Sequence, residues 1–282
     1  MSSINEAVGN SQMYIDLLKK VLIDYPRIQY DEYKTLRSFT PNWRINLLIK
    51  LDNLFRTRNF AICKRVKPVE EDRIVGKDWP IYADTMIGLK RLDNIDYCLN
   101  KIIDDKIPGD VIETGVWRGG ATILMKAILK ARNVTDKTVW VADSFEGLPK
   151  PDAQKYKADA GDTHHTFREL AISKEIVENN FRKYGLLDDK VKFLKGWFSE
   201  TLPTAPITQL SLIRLDGDMY ESTMDGITNL YPKLAKGGFL LVDDFGGLEG
   251  CRKAIMDYRE KHGITEEIKT VDWTGVYWRK ES

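Results

Sequence analysis

The stretch "LSLIRLDGDMY", residues 210–220, sets the reading of this chain. Leu210 to Leu215 is an almost continuous apolar run that breaks off into Asp216-Gly217-Asp218. A short run without alternation reads as a strand covered on both faces. A second run, Phe239-Leu240-Leu241-Val242, ends the same way, in Asp243-Asp244. Two buried strands that both finish in carboxylates imply a shared edge where those acids meet.

Around these runs, strand and helix patterns alternate from Gly109 onward. "DVIET", "TVWVAD" (ending at Asp143) and "KVKFLKG" are further short strands. "GVWRGGATILMKAILKA" turns helical, as does "SKEIVENNFRKYG", with Ser173 as N-cap and Gly185 as stop. "STMDGITNLYPKLAKGG" opens on Ser222-x-x-Asp225, a capping-box-like start, and ends in Gly237-Gly238. "LEGCRKAIMDYREKHG" is a helix closed by Gly263, and "EEIKTVDW" with "TGVYWRK" makes a closing pair of strands. The expectation is an α/β fold with a mostly parallel sheet and helices on both faces. In such sheets ligands bind beyond the carboxyl ends of the strands. Glu113, Asp143, Asp216, Asp243 and Asp244 should therefore gather on one edge.

Residues 1–108 read as a helical extension acting as a lid or an oligomer surface, and 109–282 as the sheet domain. "QMYIDLLKKVLIDY", "WRINLLIKLDNLFR" and "ADTMIGLKRLDNIDYCLNKIIDD" have helical spacing, whereas "RVKPVEEDRIVGKDWP" is polar and turn-rich. Trp140, Trp273 and Trp278 fall on predicted strands and are expected in the core. His164-His165 either touches a substrate or is simply solvated.

Composition narrows the function classes. The 282 residues carry 43 Lys+Arg against 42 Asp+Glu, a net charge of +1. That balance gives no electrostatic case for a nucleic-acid or membrane partner. Three scattered cysteines, Cys63, Cys98 and Cys251, lack any CxxC spacing and read as reduced thiols of a cytoplasmic protein. The N-terminal stretch has no apolar core of signal-peptide length. No apolar run approaches the roughly 20 residues that span a bilayer.

Two motifs carry chemistry. "ETGVWRGG" follows a strand and opens a helix, so Gly115 and Gly119 allow backbone to approach a ligand; a tight structural turn is the other reading. Asp143, at the end of the next strand, can accept hydrogen bonds from two ribose hydroxyls. Together they favour a ribose-bearing cofactor. Asp216, Asp243 and Asp244 can form an oxygen-rich site for a hard divalent ion such as Mg²⁺. Asp218 can ligate too, or act as a base. The alternative is that some of these acids cap helices.

These residues also carry a resemblance. "VIETGVWRGGATILMKAIL", "VADSFEGLP", "GWFSETLPTAPI", "IRLDGDMYESTMDGITNLYPKLAKGG" and "VDDFGGLEGCRKAIMDYREKHGI" resemble the macrocin O-methyltransferase family, from Ile81 to Arg279. The resemblance implies a Rossmann-like class I methyltransferase sheet. It further implies an enzyme, dependent on S-adenosylmethionine and Mg²⁺, that methylates a sugar hydroxyl of a glycosylated natural product or saccharide. By that likeness Asp216, Asp243 and Asp244 are metal ligands and Asp218 is the general base. Glu113, Thr114, Gly115 and Val116 form the cofactor loop, and Asp143 with Ser144 and Phe145 takes the ribose. Thr85 and Met86 close over the methionine end, and Trp197 with Phe198 lies at the adenine. A homo-oligomer, a dimer or larger, is the family expectation.

Three rivals stand beside this. A nucleotide-sugar glycosyltransferase would use Asp216-x-Asp218 for a metal-bound diphosphate, but leaves Asp243-Asp244 unexplained. A nicotinamide dehydrogenase would want a fuller GxGxxG. A binding protein would keep the fold and lose the cofactor.

Overall fold

The computed structural model describes residues 2–36 and 43–281. Its frame is a seven-stranded sheet. The strands are β3 (Asp110–Thr114), β4 (Val139–Asp143), β5 (Val191–Lys195), β6 (Leu210–Leu215), β7 (Leu234–Val242), β8 (Lys269–Thr270) and β9 (Val276–Arg279), in the spatial order β5-β4-β3-β6-β7-β9-β8. Strands β3 to β7 pair in parallel, and β9 closes antiparallel to β7 and β8. The chain runs from β3 to β4 on one side and later returns to β6 on the other. The topological switch point therefore lies at β3 and β6, where the ends of neighbouring strands leave a crevice.

Alternation along each strand divides the core in two. Val111, Val139, Val141, Leu212 and Leu241 point to one face, against helices α1 (Ser2–Leu22), α4 (Gly88–Asp104), α5 (Gly120–Ala131) and α6 (Lys174–Lys183). Ile112, Trp140, Ile213, Leu240 and Trp278 point to the other, against α7 (Phe198–Thr201), α8 (Tyr220–Leu230) and α9 (Glu249–His262). Residues of α1 and α4, among them Leu18, Leu22, Leu92 and Ile95, share one cluster with the sheet, so the N-terminal helices are packed into its core.

Within the framework, the structure departs from the sequence-based expectations at α8, at Gly237-Gly238 and in the N-terminal segment. Helix α8 begins at Tyr220, two residues ahead of the capping-box-like Ser222. Its first amides are taken by Asp159 from a distant loop, Tyr220 N–H on Oδ1 at 2.6 Å and Glu221 N–H on Oδ2 at 3.1 Å. Gly237-Gly238 does not stop a helix but lies inside β7, where the pairing with β6 shifts register. Gly237 sits at φ 85°, and a Cβ on Gly238 would come within 2.7 Å of the Ser211 carbonyl oxygen of β6. In the N-terminal segment, β1 (Glu32–Thr35) and β2 (Cys63–Val66) pair antiparallel beside α2 (Trp43–Arg56) and α3 (Glu70–Val75). That small sheet escapes a helical reading because its strands carry no apolar alternation.

Candidate active site

The carboxyl ends of the parallel strands are tied in steps. Gly115 N–H donates to Ala142 O, Asp216 N–H to Thr114 O and Asp243 N–H to Leu215 O, each at 2.9 Å. The acids that end the strands thus meet above the sheet, in a cavity of ≈ 470 Å³. Asp216, Asp243 and Asp244 each place a carboxylate oxygen within 4.8 Å of the others'. Asp218 joins them through a left-handed backbone (φ 58°), its N–H donating to Asp244 Oδ2 at 3.2 Å.

Two arginines hold this cluster together. Buried Arg214, on β6, donates to Glu113 Oε1, to Asp216 Oδ2 at 2.8 Å and to Asp243 Oδ1. Arg91, on α4, donates to Asp243 Oδ2, and to Asp272 Oδ2 at 3.0 Å. Sequence reasoning passed over both. A charge in the middle of "LSLIRLD" was the available signal, because a buried guanidinium needs acidic partners.

Burial and the crowding of like charges raise the acids. Asp216 is pushed up to about 6 by burial and by Asp243 beside it. Asp218 is pushed up to about 7 by burial and Asp216, with His164 pulling the other way. Asp244 is raised well above the carboxylate range by burial, then by Asp218 and Asp216. Burial also lifts Glu113 to about 7, against the pull of Arg214. Buried acids that resist ionisation are what a site for an added cation looks like before the cation arrives. Asp243, engaged at both oxygens, keeps further lone pairs for a ligand.

The glycine loop sits beside these acids. Gly115 has φ 81°, and a Cβ there would fall 1.8 Å from the Asp216 carbonyl oxygen, so only glycine lets β3 and β6 close at this point. Asp143 shapes the loop: Oδ2 accepts Val116 N–H at 2.8 Å and Oδ1 accepts Phe145 N–H at 2.7 Å. Burial raises its carboxyl, against those amides. Glu113 is buried, and its Oε2 has no hydrogen-bond partner, although the residue lines the cavity. Arg118 of the same motif donates to the carbonyls of Ile81 and Ala83, both at 2.7 Å, and fixes the segment that carries Thr85 and Met86 over the loop.

Thr85, Met86, Glu113, Gly115, Val116, Asp143, Ser144, Trp197, Phe198, Asp216, Asp218, Asp243 and Asp244 all line the one cavity. Thr114 and Phe145 do not. Thr114 is buried, with its hydroxyl on Arg214 O at 3.5 Å, and Phe145 packs in the core against Phe193. Their neighbours face the cavity and they face away. Trp140 and Trp278 are core, but Trp273 is 48% exposed and lines the cavity. It sits in the turn between β8 and β9 and donates from Nε1 to Val75 O at 2.8 Å. The expected strand ended early there because the Asp272 carboxylate accepts the amides of Thr274 and Gly275 and curls the chain.

A family model for macrocin O-methyltransferases matches residues 11–280, almost the whole chain. The chain belongs to the macrocin O-methyltransferase family. Among curated relatives of this family member, demethyldecarbamoylnovobiocin O-methyltransferase of Streptomyces niveus is 44% identical over 99% of this chain and 98% of its own. Mycinamicin III 3''-O-methyltransferase of Micromonospora griseorubida is 50% identical over 76% of this chain and 85% of its own. The solved structure of the O-methyltransferase NovP superposes with a TM-score of 0.83 at 43% identity, covering 96% of this chain and all of that one. The calicheamicin methyltransferase CalS11, at 18% identity and TM-score 0.56, shares the fold. This macrocin-family chain is an O-methyltransferase with a Rossmann-like class I sheet, a fold that implies S-adenosylmethionine as methyl donor. Among the described residues no helix is long and apolar enough to cross a membrane.

Proposed function

We propose that this enzyme methylates a sugar hydroxyl of a glycosylated natural product or saccharide, using S-adenosylmethionine and Mg²⁺. The observation that carries the reading is the convergence of Asp216, Asp243 and Asp244 beside Asp218, next to the glycine loop. The relatives named for novobiocin and mycinamicin support a glycoside acceptor. The nucleotide-sugar glycosyltransferase reading of Asp216-x-Asp218 yields to family membership. It also meets a poor electrostatic fit, since Asp143, Asp218, Glu221, Asp225 and Asp244 line the cavity and would repel a diphosphate.

Asp216, Asp243 and Asp244 would hold Mg²⁺, which when bound supplies Lewis acidity and orientation to a weakly acidic sugar hydroxyl. For the methyl donor, Glu113 Oε2 offers an unpaired buried acceptor, and the cavity-lining Asp143, with Ser144 beside it, would take the ribose. Thr85 and Met86 would cover the methionine end, and Trp197 and Phe198 would flank the adenine. Asp218 takes the hydroxyl proton on its carboxylate as the methyl arrives. Arg214 and Arg91 hold Asp243 in place throughout. Fixing donor and acceptor in line removes much of the entropic part of the barrier.

Within segment 1–108, the stretch bearing Trp79, Thr85 and Met86 acts as lid and α2 as assembly surface in this reading. Trp79, Thr85 and Met86 reach the cavity from it, and α2 exposes Trp43, Leu47, Leu51 and Leu54, a surface suited to a homo-oligomer. The protein works in the cytoplasm, on a small-molecule acceptor.

The test is calorimetric titration with S-adenosylhomocysteine, on wild type and Asp143→Ala, with and without Mg²⁺. Expected is binding that the substitution weakens about tenfold or more, roughly 1.4 kcal/mol. No binding by wild type in either condition would remove the reading.

A further inference from the structure

We infer that the Asp162–His164 pair is an acceptor-binding group of this site, reading a second hydroxyl of the acceptor sugar. The inference rests on the sugar O-methyltransferase reading above and adds to it a residue that selects the acceptor.

His164 lines the same cavity as Asp218 and Asp244. Asp162 grips it twice: Oδ1 accepts the His164 backbone N–H at 2.8 Å, and Oδ2 lies 2.7 Å from Nδ1. The ring stands edge-on to Phe167 at 5.4 Å between centroids, and Phe167 stands edge-on to Trp79 at 5.9 Å. Among the described residues Nε2 has no hydrogen-bond partner. The adjacent His165 does not line the cavity, so the two histidines have different surroundings.

The segment bearing the pair is anchored on both sides. Upstream, Asp159 holds the start of α8 through the Tyr220 and Glu221 amides. Downstream, Trp117 Nε1 of the glycine-loop motif donates to Glu169 O at 2.9 Å. His164 is thus held in the cavity wall by the two elements that carry the base and the cofactor loop.

The chemistry follows from the partner. Nδ1 is taken up by the Asp162 carboxylate, so Nε2 is the ring nitrogen left for a ligand. The matching ligand group is a hydroxyl. Sugars carry neighbouring hydroxyls; one meets Asp218 and the acid cluster, and another hydrogen-bonds to Nε2. A site built to hydrogen-bond a hydroxyl discriminates against analogues that lack it. This enzyme should therefore disfavour sugars that are deoxy at that second position.

The test uses the whole protein saturated with S-adenosylhomocysteine and Mg²⁺. Three glycosides are titrated: demethyldecarbamoylnovobiocin, mycinamicin III and 4-nitrophenyl α-L-rhamnoside. Wild type is compared with His164→Ala, with His164→Phe, which keeps a ring against Phe167, and with Asp162→Asn. Expected is a loss of glycoside affinity of about tenfold in both His164 variants, a smaller loss in Asp162→Asn, and unchanged S-adenosylhomocysteine affinity. In turnover of a glycoside that binds, KM should rise more than kcat falls. If His164→Ala loses S-adenosylhomocysteine affinity, His164→Phe decides. Equal glycoside affinity in wild type and a folded His164 variant overturns the inference alone. Wild type that binds S-adenosylhomocysteine but none of the glycosides overturns the sugar-acceptor reading and the inference with it. Wild type that binds neither overturns the methyl-transfer reading.

Discussion

Asp218 and Arg214 show how one carboxylate and one guanidinium serve different ends in the same few ångströms. Asp218 lies in a left-handed turn, beside Asp244, and burial lifts its carboxyl to about 7. That is the range in which a general base holds a proton weakly enough to exchange it. Asp218→Asn should lower kcat by about 10²–10⁴-fold and leave S-adenosylhomocysteine affinity unchanged; retained turnover in a single-turnover assay would remove the base assignment. Arg214 is buried and pairs with Glu113, Asp216 and Asp243 together. Arg214→Met leaves those acids buried without their partner. The expected loss is about 3–5 kcal/mol of stability, read from urea unfolding. A loss under about 1 kcal/mol would mean the acids simply protonate in response.

Helix α8 and the strands beneath it depend on a contact that is remote in the chain. Asp159 caps the first turn of α8, two residues after the proposed base. An acid at that end also suits the helix dipole. Asp159→Ala should cost about 1–2 kcal/mol, the usual range for a lost cap. Because the same turn follows Asp218, kcat should fall along with the melting temperature. A variant that melts early but turns over normally would show that the cap stabilises without positioning. The glycine loop is constrained in the same way. Gly115 must be glycine because β3 and β6 meet there, a condition set by the sheet and not by the loop alone.

Taken as one molecule, the protein carries its acid cluster as a cost that a cation would relieve. Asp216, Asp218 and Asp244 all have native pKa values above the ordinary 3.8. Between that value and about 7 the native state holds protons that the unfolded chain has released, so the cluster's contribution to stability falls as pH rises through this window. Mg²⁺ would bind the deprotonated oxygens. Its stabilisation should therefore be small near about pH 5 and grow toward about pH 8. Differential scanning calorimetry with Mg²⁺ or EDTA measures this. A Mg²⁺-dependent rise in melting temperature that survives in Asp244→Asn, or that is equal at both pH values, would argue against the three-aspartate site.

The strand pattern from Asp110 to Val242 was legible because each buried strand repeats the same physics, a short apolar run closed by a polar break. The acids that end those runs were legible for the same reason, since parallel strands share one carboxyl edge. The motif resemblance then pointed to a methyl-transfer enzyme, which length and charge balance alone could not do. Only the packed structure showed what acts across the chain. Arg91 reaches Asp243 from 152 residues away, Asp159 caps a helix 61 residues ahead, and Trp273 turns out of a predicted strand to meet the cavity. It also turned Thr114 and Phe145 away from a site that their neighbours line. Local patterning reports which side chains must be buried and which backbone must bend. Which charge finds which partner is set by distances that exist only once the sheet and its helices have closed.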